Sequence, residues 1–218
     1  MTATIVSEPL AATLAGLYER AEEQRSSASG PPRVQLPADA TAQHRADLMS
    51  DRYMPISPDT GTLLYTMIRA ARPEVVVEFG TSYGISGLYI AAALRDNGIG
   101  HLYTTELSSK KVTAATRNFE QAGVADVVTI LPGDARETLA SVTESIGIVL
   151  LDGWKEMYLP VLALIEPNLR SGATIVADNT TRADVAPYLD YVRDPGNGYM
   201  SMSMGARGHD AVEISCRL

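Results

Sequence analysis

The chain has one cysteine, Cys216, so no internal disulfide can form, and its three histidines, His44, His101 and His209, stand too far apart for a zinc motif. A reducing compartment, the cytoplasm, fits that inventory. Positive charge is also short: 18 Lys and Arg against 26 Asp and Glu leave a formal charge of −8, which argues against nucleic acid or an anionic membrane surface as a partner. No stretch approaches the ~18 apolar residues of a membrane span, and MTATIVSEPLAATLAGLYERAEEQ has no basic residues ahead of its apolar ones. Neither an anchor nor a signal peptide is read. Internal repeats are missing too. What remains is 218 residues, 45% of them hydrophobic, enough for one domain over residues 1–218 in which 1–55 are appended N-terminal helices and linker.

Leu10, Leu14, Leu17 and Ala21 recur at helical spacing behind Pro9, so an amphipathic helix is expected over 9–25. Its apolar stripe must pack on its own domain or on a second copy, and a homodimer is the expectation. A polar linker, RSSASGPPRVQLPADA, follows. SPDTGTLLYTMIRAARP offers Ser57 as N-cap, Pro58 at the first helical position and an apolar set of Leu63, Leu64, Met67, Ile68 and Ala71. Strands and helices then alternate: EVVVEFG, HLYTTE, DVVTILPG, IGIVLLD and GATIVADN are strands with helices between them. A further helix near 182–193 precedes YMSMSM and AVEISCR. This alternation predicts an α/β fold with a mostly parallel sheet. The turn signal DPGNG at 194–198 is read as marking an antiparallel edge hairpin of the last two strands. Met200, Met202 and Met204 share one face by period-two alternation and are expected to fill core.

Ligands in such sheets bind at the carboxyl ends of the strands. The first strand ends EFGTSYGIS, where Gly80 and Gly84 allow a tight turn and the next helix offers free N–H groups. The glycines are three residues apart, not in the G-x-G-x-x-G pattern, which weakens a nicotinamide reading. Glu78 lies within that strand. Glu106 ends the second, where a carboxylate accepts both ribose hydroxyls, so a nucleoside-containing cofactor is favoured. IGIVLLD runs directly into Asp152, Trp154 and Lys155, costly residues for a buried strand end unless paired, solvated or bound to an ion. The plainer alternatives are a generic turn for the glycines, an Asx cap for Asp178 and Asn179, a solvated Lys155 and a core-packing Trp154.

The segments EFGTSYGIS, TTELSSKK, LLDGWKEMYLP and GATIVADN, in that order, resemble the S-adenosylmethionine-dependent, metal-dependent catechol O-methyltransferase family from about Ser50 onward. The resemblance implies the class I methyltransferase fold, a Rossmann-like three-layer sandwich of strand order 3-2-1-4-5-7-6. It implies that Ile56, Glu78, Gly80 and Ser86, with Asp152, border the methionine end of the cofactor, that Glu106 holds the ribose, and that Asp134, Ala135 and Trp154 border the adenine. It further implies a divalent metal on Asp152, Asp178 and Asn179, Lys155 as general base, and a small hydroxylated aromatic as methyl acceptor. The chemistry agrees, because two carboxylates and an amide with no His or Cys suit Mg²⁺, with Mn²⁺ or Ca²⁺ as substitutes. A nearby cation and desolvation would both move a lysine towards use as a base.

Two departures from the family stand out. Arg52 and Tyr53 occupy the region of its tryptophan gate at the substrate mouth, and Met204 stands where a glutamate would receive the second hydroxyl. Arg207 and His209 read as solvated turn residues. The alternatives are methyl transfer to another atom or to a non-catechol acceptor, a nicotinamide-dependent oxidoreductase domain, and a non-catalytic protein retaining the fold.

Overall fold

The computed structural model describes residues 2–27, 39–206 and 210–218. Most of the expected linker, and Arg207 and His209, lie outside the described residues. Helix α1 (Glu8–Ser26) is followed by α2 (Ala42–Leu48) and α3 (Pro58–Ala71). The alternating part runs β1 (Val75–Phe79), α4 (Ile85–Asn97), β2 (His101–Glu106), α5 (Ser109–Gln121), β3 (Val128–Pro132), α6 (Ala135–Thr138), β4 (Ile146–Leu151), α7 (Tyr158–Ile165), β5 (Leu169–Ala177) and α8 (Ala186–Arg193). Strands β6 (Tyr199–Gly205) and β7 (Ala211–Arg217) complete it. Ser57 caps α3 as expected, its Oγ accepting from the Thr60 amide at 3.0 Å.

All seven strands form one sheet in the order β3-β2-β1-β4-β5-β7-β6. The first five are parallel, and β7 runs antiparallel to both β5 and β6. Alternate side chains of β1 point to opposite faces, which divides the core in two. Val76 joins Leu10, Leu64, Leu88 and Phe119 from α1, α3, α4 and α5 on one face. Val75, Val77 and Phe79 join Tyr158, Leu162 and Tyr188 from α7 and α8 on the other. The result is a three-layer α/β sandwich. Every residue of β4 is buried, as a central parallel strand covered on both faces requires.

The apolar stripe of α1 is satisfied within the chain. Leu10, Leu14 and Leu17 are buried in the first core, each worth ~1.5–3 kcal/mol of burial, so the stripe packs on its own domain. Two expectations are corrected. The DPGNG segment is not the hairpin turn: Pro195–Asn197 is a short 3-10 turn carrying the chain from α8 into β6, and the hairpin closes later, with the Ala206 amide donating to the Asp210 carbonyl. Nor do the three methionines fill core. Met200 is 69% exposed, Met202 59% and Met204 36%, because they lie on the outermost strand of the sheet. Among the described residues, no helix is long and apolar enough to cross a membrane.

Candidate active site

Hydrogen bonding between neighbouring strands sets three carboxyl ends side by side. The Asp152 amide donates to the Phe79 carbonyl at 2.9 Å and the Asp178 amide to the Leu151 carbonyl at 2.9 Å, aligning the ends of β1, β4 and β5. Gly80 follows β1 with φ of 111°, and a Cβ there would come within 2.8 Å of the Asp152 carbonyl oxygen. A side chain at position 80 would therefore wedge apart two strand ends. Gly80, Ser82, Tyr83, Ser86 and Asp152 line one side of a cleft whose other side is Tyr53, Met54 and Ile56. Tyr53 stacks on Tyr83 at 4.1 Å between centroids, and the Tyr83 hydroxyl donates to the Ser50 carbonyl. From α1, Gln24 accepts from the Tyr53 amide and donates to the Asp51 carbonyl. These contacts hold the 50–56 segment down over the cleft.

Two glutamates underpin that loop. Glu78 is wholly buried and accepts from the Ser86 hydroxyl and from the Thr104 hydroxyl at 2.5 Å. Burial outweighs those bonds and pushes its carboxyl up to about 7. Glu106 accepts from the Ser82 amide and the Ser108 amide, each at 2.8 Å, and so pins the loop after β1 to the start of α5. Ser82 is held at φ of 48°, a left-handed conformation few side chains adopt. A carboxylate has about four acceptor sites, so Glu106 keeps roughly two for a ligand.

The acid end is built differently. Lys155 follows β4 by one turn; its Nζ lies 3.2 Å from Asp152 Oδ1 and donates to the Tyr158 hydroxyl at 2.6 Å. Tyr158 in turn donates to the Asp178 carbonyl at 2.9 Å. Burial raises Asp152, with Lys155 opposing the rise. Asp178 is pushed up to about 7 by burial and then by Asp152. Asn179, at φ of 56°, donates from Nδ2 to Asp210 at 2.7 Å. A cavity of about 540 Å³ opens here, within the range of small-molecule sites. Asp178, Asn179, Ala206 and Asp210 line it from the strand ends, Ile56 and Ser57 from the loop before α3, Pro58 from the start of α3, and Tyr18, Glu19, Glu22 and Arg25 from α1.

Residues 77–180 match the family described as "Methyltransferase domain". Catechol O-methyltransferase B of Danio rerio is 30% identical over 182 residues, covering 80% of this chain and 66% of that protein. Catechol O-methyltransferase of Sus scrofa is 29% identical over 153 residues, covering 67% and 81%. The chain thus carries a match to a methyltransferase domain and is similar to O-methyltransferases. It spans just under two thirds of the length of the zebrafish relative. The O-methyltransferase from Bacillus cereus, solved in complex with S-adenosylhomocysteine, shares the fold at a TM-score of 0.69 with 19% identity, over 85% of this chain and 94% of that one.

The residues singled out in the sequence fall into three groups. Ile56, Gly80, Ser86 and Asp152 meet in the cleft, and Ile56 also reaches the large cavity with Asp178 and Asn179. Lys155 joins Asp152 and, through Tyr158, Asp178. The others have structural partners. The Glu78 carboxylate is enclosed by Ser86 and Thr104, and Asp134 caps α6 and pairs with Arg136. Ala135 is buried in the second core, and Trp154 packs against that core with the Arg45 guanidinium over its ring at 4.8 Å. Three contributors escaped the sequence reading: Tyr158, Asp210 and the face of α1. Tyr158 stands three residues after Lys155 at helical spacing, a signal that was available.

Proposed function

We propose that this chain is an O-methyltransferase that moves a methyl group from S-adenosylmethionine to a hydroxyl of a small catechol-like aromatic, with a divalent cation on Asp152, Asp178 and Asn179 and Lys155 as general base. In this reading the whole chain acts as one methyltransferase domain. The observation that carries it is the chain of hydrogen bonds from Lys155 through the Tyr158 hydroxyl to the Asp178 backbone carbonyl, beside Asp152, with Asp178 lining a cavity wide enough for an aromatic acceptor.

The residues fit a hard cation. Two buried carboxylates, the Asp178 one pushed up to about 7 by burial and then by Asp152, form a site whose charge a divalent ion would offset, and all the donors are oxygens. Among the described residues no three Asp, Glu, His or Cys side chains lie close enough to hold an ion by themselves, so the Asn179 amide is the third donor in this proposal. A cation there supplies Lewis acidity and a fixed orientation for two adjacent oxygens of the acceptor. The chain does the rest. Lys155 Nζ takes the hydroxyl proton, and Tyr158 fixes where Nζ stands. The Gly80 turn lets the sulfonium end of the donor approach the strand ends, while Glu106 accepts from its ribose hydroxyls. The acceptor oxygen then displaces sulfur from the methyl carbon in line, leaving S-adenosylhomocysteine.

Calorimetry with S-adenosylhomocysteine and with NAD tests the donor half: binding of the first and not of the second is expected, and the reverse would end the reading. For the acceptor half, labelled methyl transfer to catechol should stop in EDTA and return with Mg²⁺. Full activity in EDTA would remove the cation from the mechanism.

A further inference from the structure

Asp210 takes no part in the steps above, yet it completes the acid pocket. It sits where β7 begins, beside the strand end that carries Asp178 and Asn179, and lines the same cavity. Its negative charge adds to the repulsion felt by both Asp152 and Asp178. A third acid in a pocket already crowded with two is unfavourable unless it has a task. It does not combine with them into a three-carboxylate cage, because among the described residues no such cluster is close enough. Its own bonds show what it holds instead. One oxygen accepts from Asn179 Nδ2 at 2.7 Å, and the other from the Thr181 hydroxyl at 3.1 Å and the Ala211 amide at 2.8 Å.

A carboxamide has two ends of nearly equal shape and opposite polarity, and only the oxygen can ligate a cation. Left alone, the amide rotates between the two orientations. With Nδ2 bonded to a carboxylate that is itself anchored by two donors, Oδ1 must face the opposite way. We propose that Asp210 is a positioning residue that locks the Asn179 amide with its oxygen turned to the cation. This inference rests on the metal reading above and assigns a role to a residue which that reading leaves idle. The partner of a ligand is commonly worth about 10–100-fold in metal affinity.

The test is a double-mutant cycle read by electron paramagnetic resonance of free Mn²⁺, titrated against the full chain with S-adenosylhomocysteine present. Asp210→Ala should weaken Mn²⁺ binding by about 10–100-fold. In an Asn179→Asp background, where both ends of the side chain are oxygens and orientation no longer matters, the same substitution should change Mn²⁺ binding by less than about threefold. Equal losses in both backgrounds would show a long-range charge effect and overturn the proposal, as would unchanged Mn²⁺ binding by Asp210→Ala. If the unsubstituted chain fails to bind Mn²⁺, the metal reading falls and this inference falls with it. Affinity for S-adenosylhomocysteine without metal reports whether each variant is folded. Should Asp210→Ala not fold, Asp210→Ser, whose hydroxyl is short enough to keep the Ala211 bond and too short to reach Asn179, is carried through the same cycle.

Discussion

The cleft beside Gly80 and the acid pocket beside Asp178 share a sheet edge but are made in opposite ways. The cleft is mostly backbone: a turn that excludes a Cβ, a left-handed Ser82, and two amides pinned by Glu106. Its floor comes from one short segment, residues 80–86, with Glu106 in support. The pocket is mostly side chain, with contributions from α1, the 56–58 segment, the turn after β4, the end of β5 and the start of β7. A part built from contiguous backbone tolerates little change in shape. A part assembled from distant side chains can be retuned one residue at a time, which suits a common methyl donor facing variable acceptors.

The sharpest break between the two halves is expected at Lys155. Lys155→Ala should lower turnover by about 10²–10⁴-fold in an assay limited by chemistry, the usual span for loss of a general base, while affinity for S-adenosylhomocysteine stays put. The deficit should narrow at higher pH, where the acceptor ionises unaided. Wild-type turnover from that variant would return Lys155 to the role of a strand-end ion pair.

On the cleft side, Glu78 should reveal itself through stability rather than rate. Its folded carboxyl is raised to about 7 from an ordinary 4.5, so the folded state holds the proton more tightly than the unfolded one. The stability this confers is fully present below pH 4.5 and is lost as pH rises through 7, a swing of about 3 kcal/mol. Urea unfolding of the wild type and of Glu78→Gln across pH 4–8 should therefore give diverging curves, with the variant lacking this component. Parallel curves would mean that Glu78 is not held as an acid.

Smaller again is the effect of Glu106→Ala, which should weaken S-adenosylhomocysteine by about 1–3 kcal/mol through lost charge-assisted bonds and a loosened Ser82 turn. An unchanged affinity, measured by calorimetry, would take Glu106 out of the cleft. The smallest effect tests a surface. Met202→Ser should alter stability by no more than about 0.5 kcal/mol, whereas a core methionine would cost about 2–5.

How much of this was legible follows the same division. Strand ends and alternation could be read because buried parallel strands write themselves as short apolar runs; the sheet order came from the family resemblance, and the placement of Asp152 beside Asp178 follows from adjacent strands. Period-two spacing put Met200, Met202 and Met204 on one face but carries no information about whether a helix covers that face. DPGNG announced a turn without saying which elements it joins. Asp210 stayed hidden because its bond to Asn179 closes a gap of 31 residues, and α1 because its stripe named only the face that is buried. The cavity is lined by the other face.

The position of β7 between β5 and β6, although it follows both in the chain, has a consequence for the order of assembly. A chain made from its N-terminal side has β5 and β6 in hand before β7 exists, and the two can pair wrongly with each other during that interval. Correct assembly requires β7 to pair with β6 in the hairpin and to dock against β5, in place of any direct β5–β6 pairing. Asp210 arrives with β7, so Asn179 has no partner for its amide until that step is complete. Pulse-labelled hydrogen exchange during refolding should show amides of β1 and β4 protected before those of β7, with tight Mn²⁺ capture appearing together with the later phase. Tight capture before β7 is protected would show that the earlier strands are sufficient.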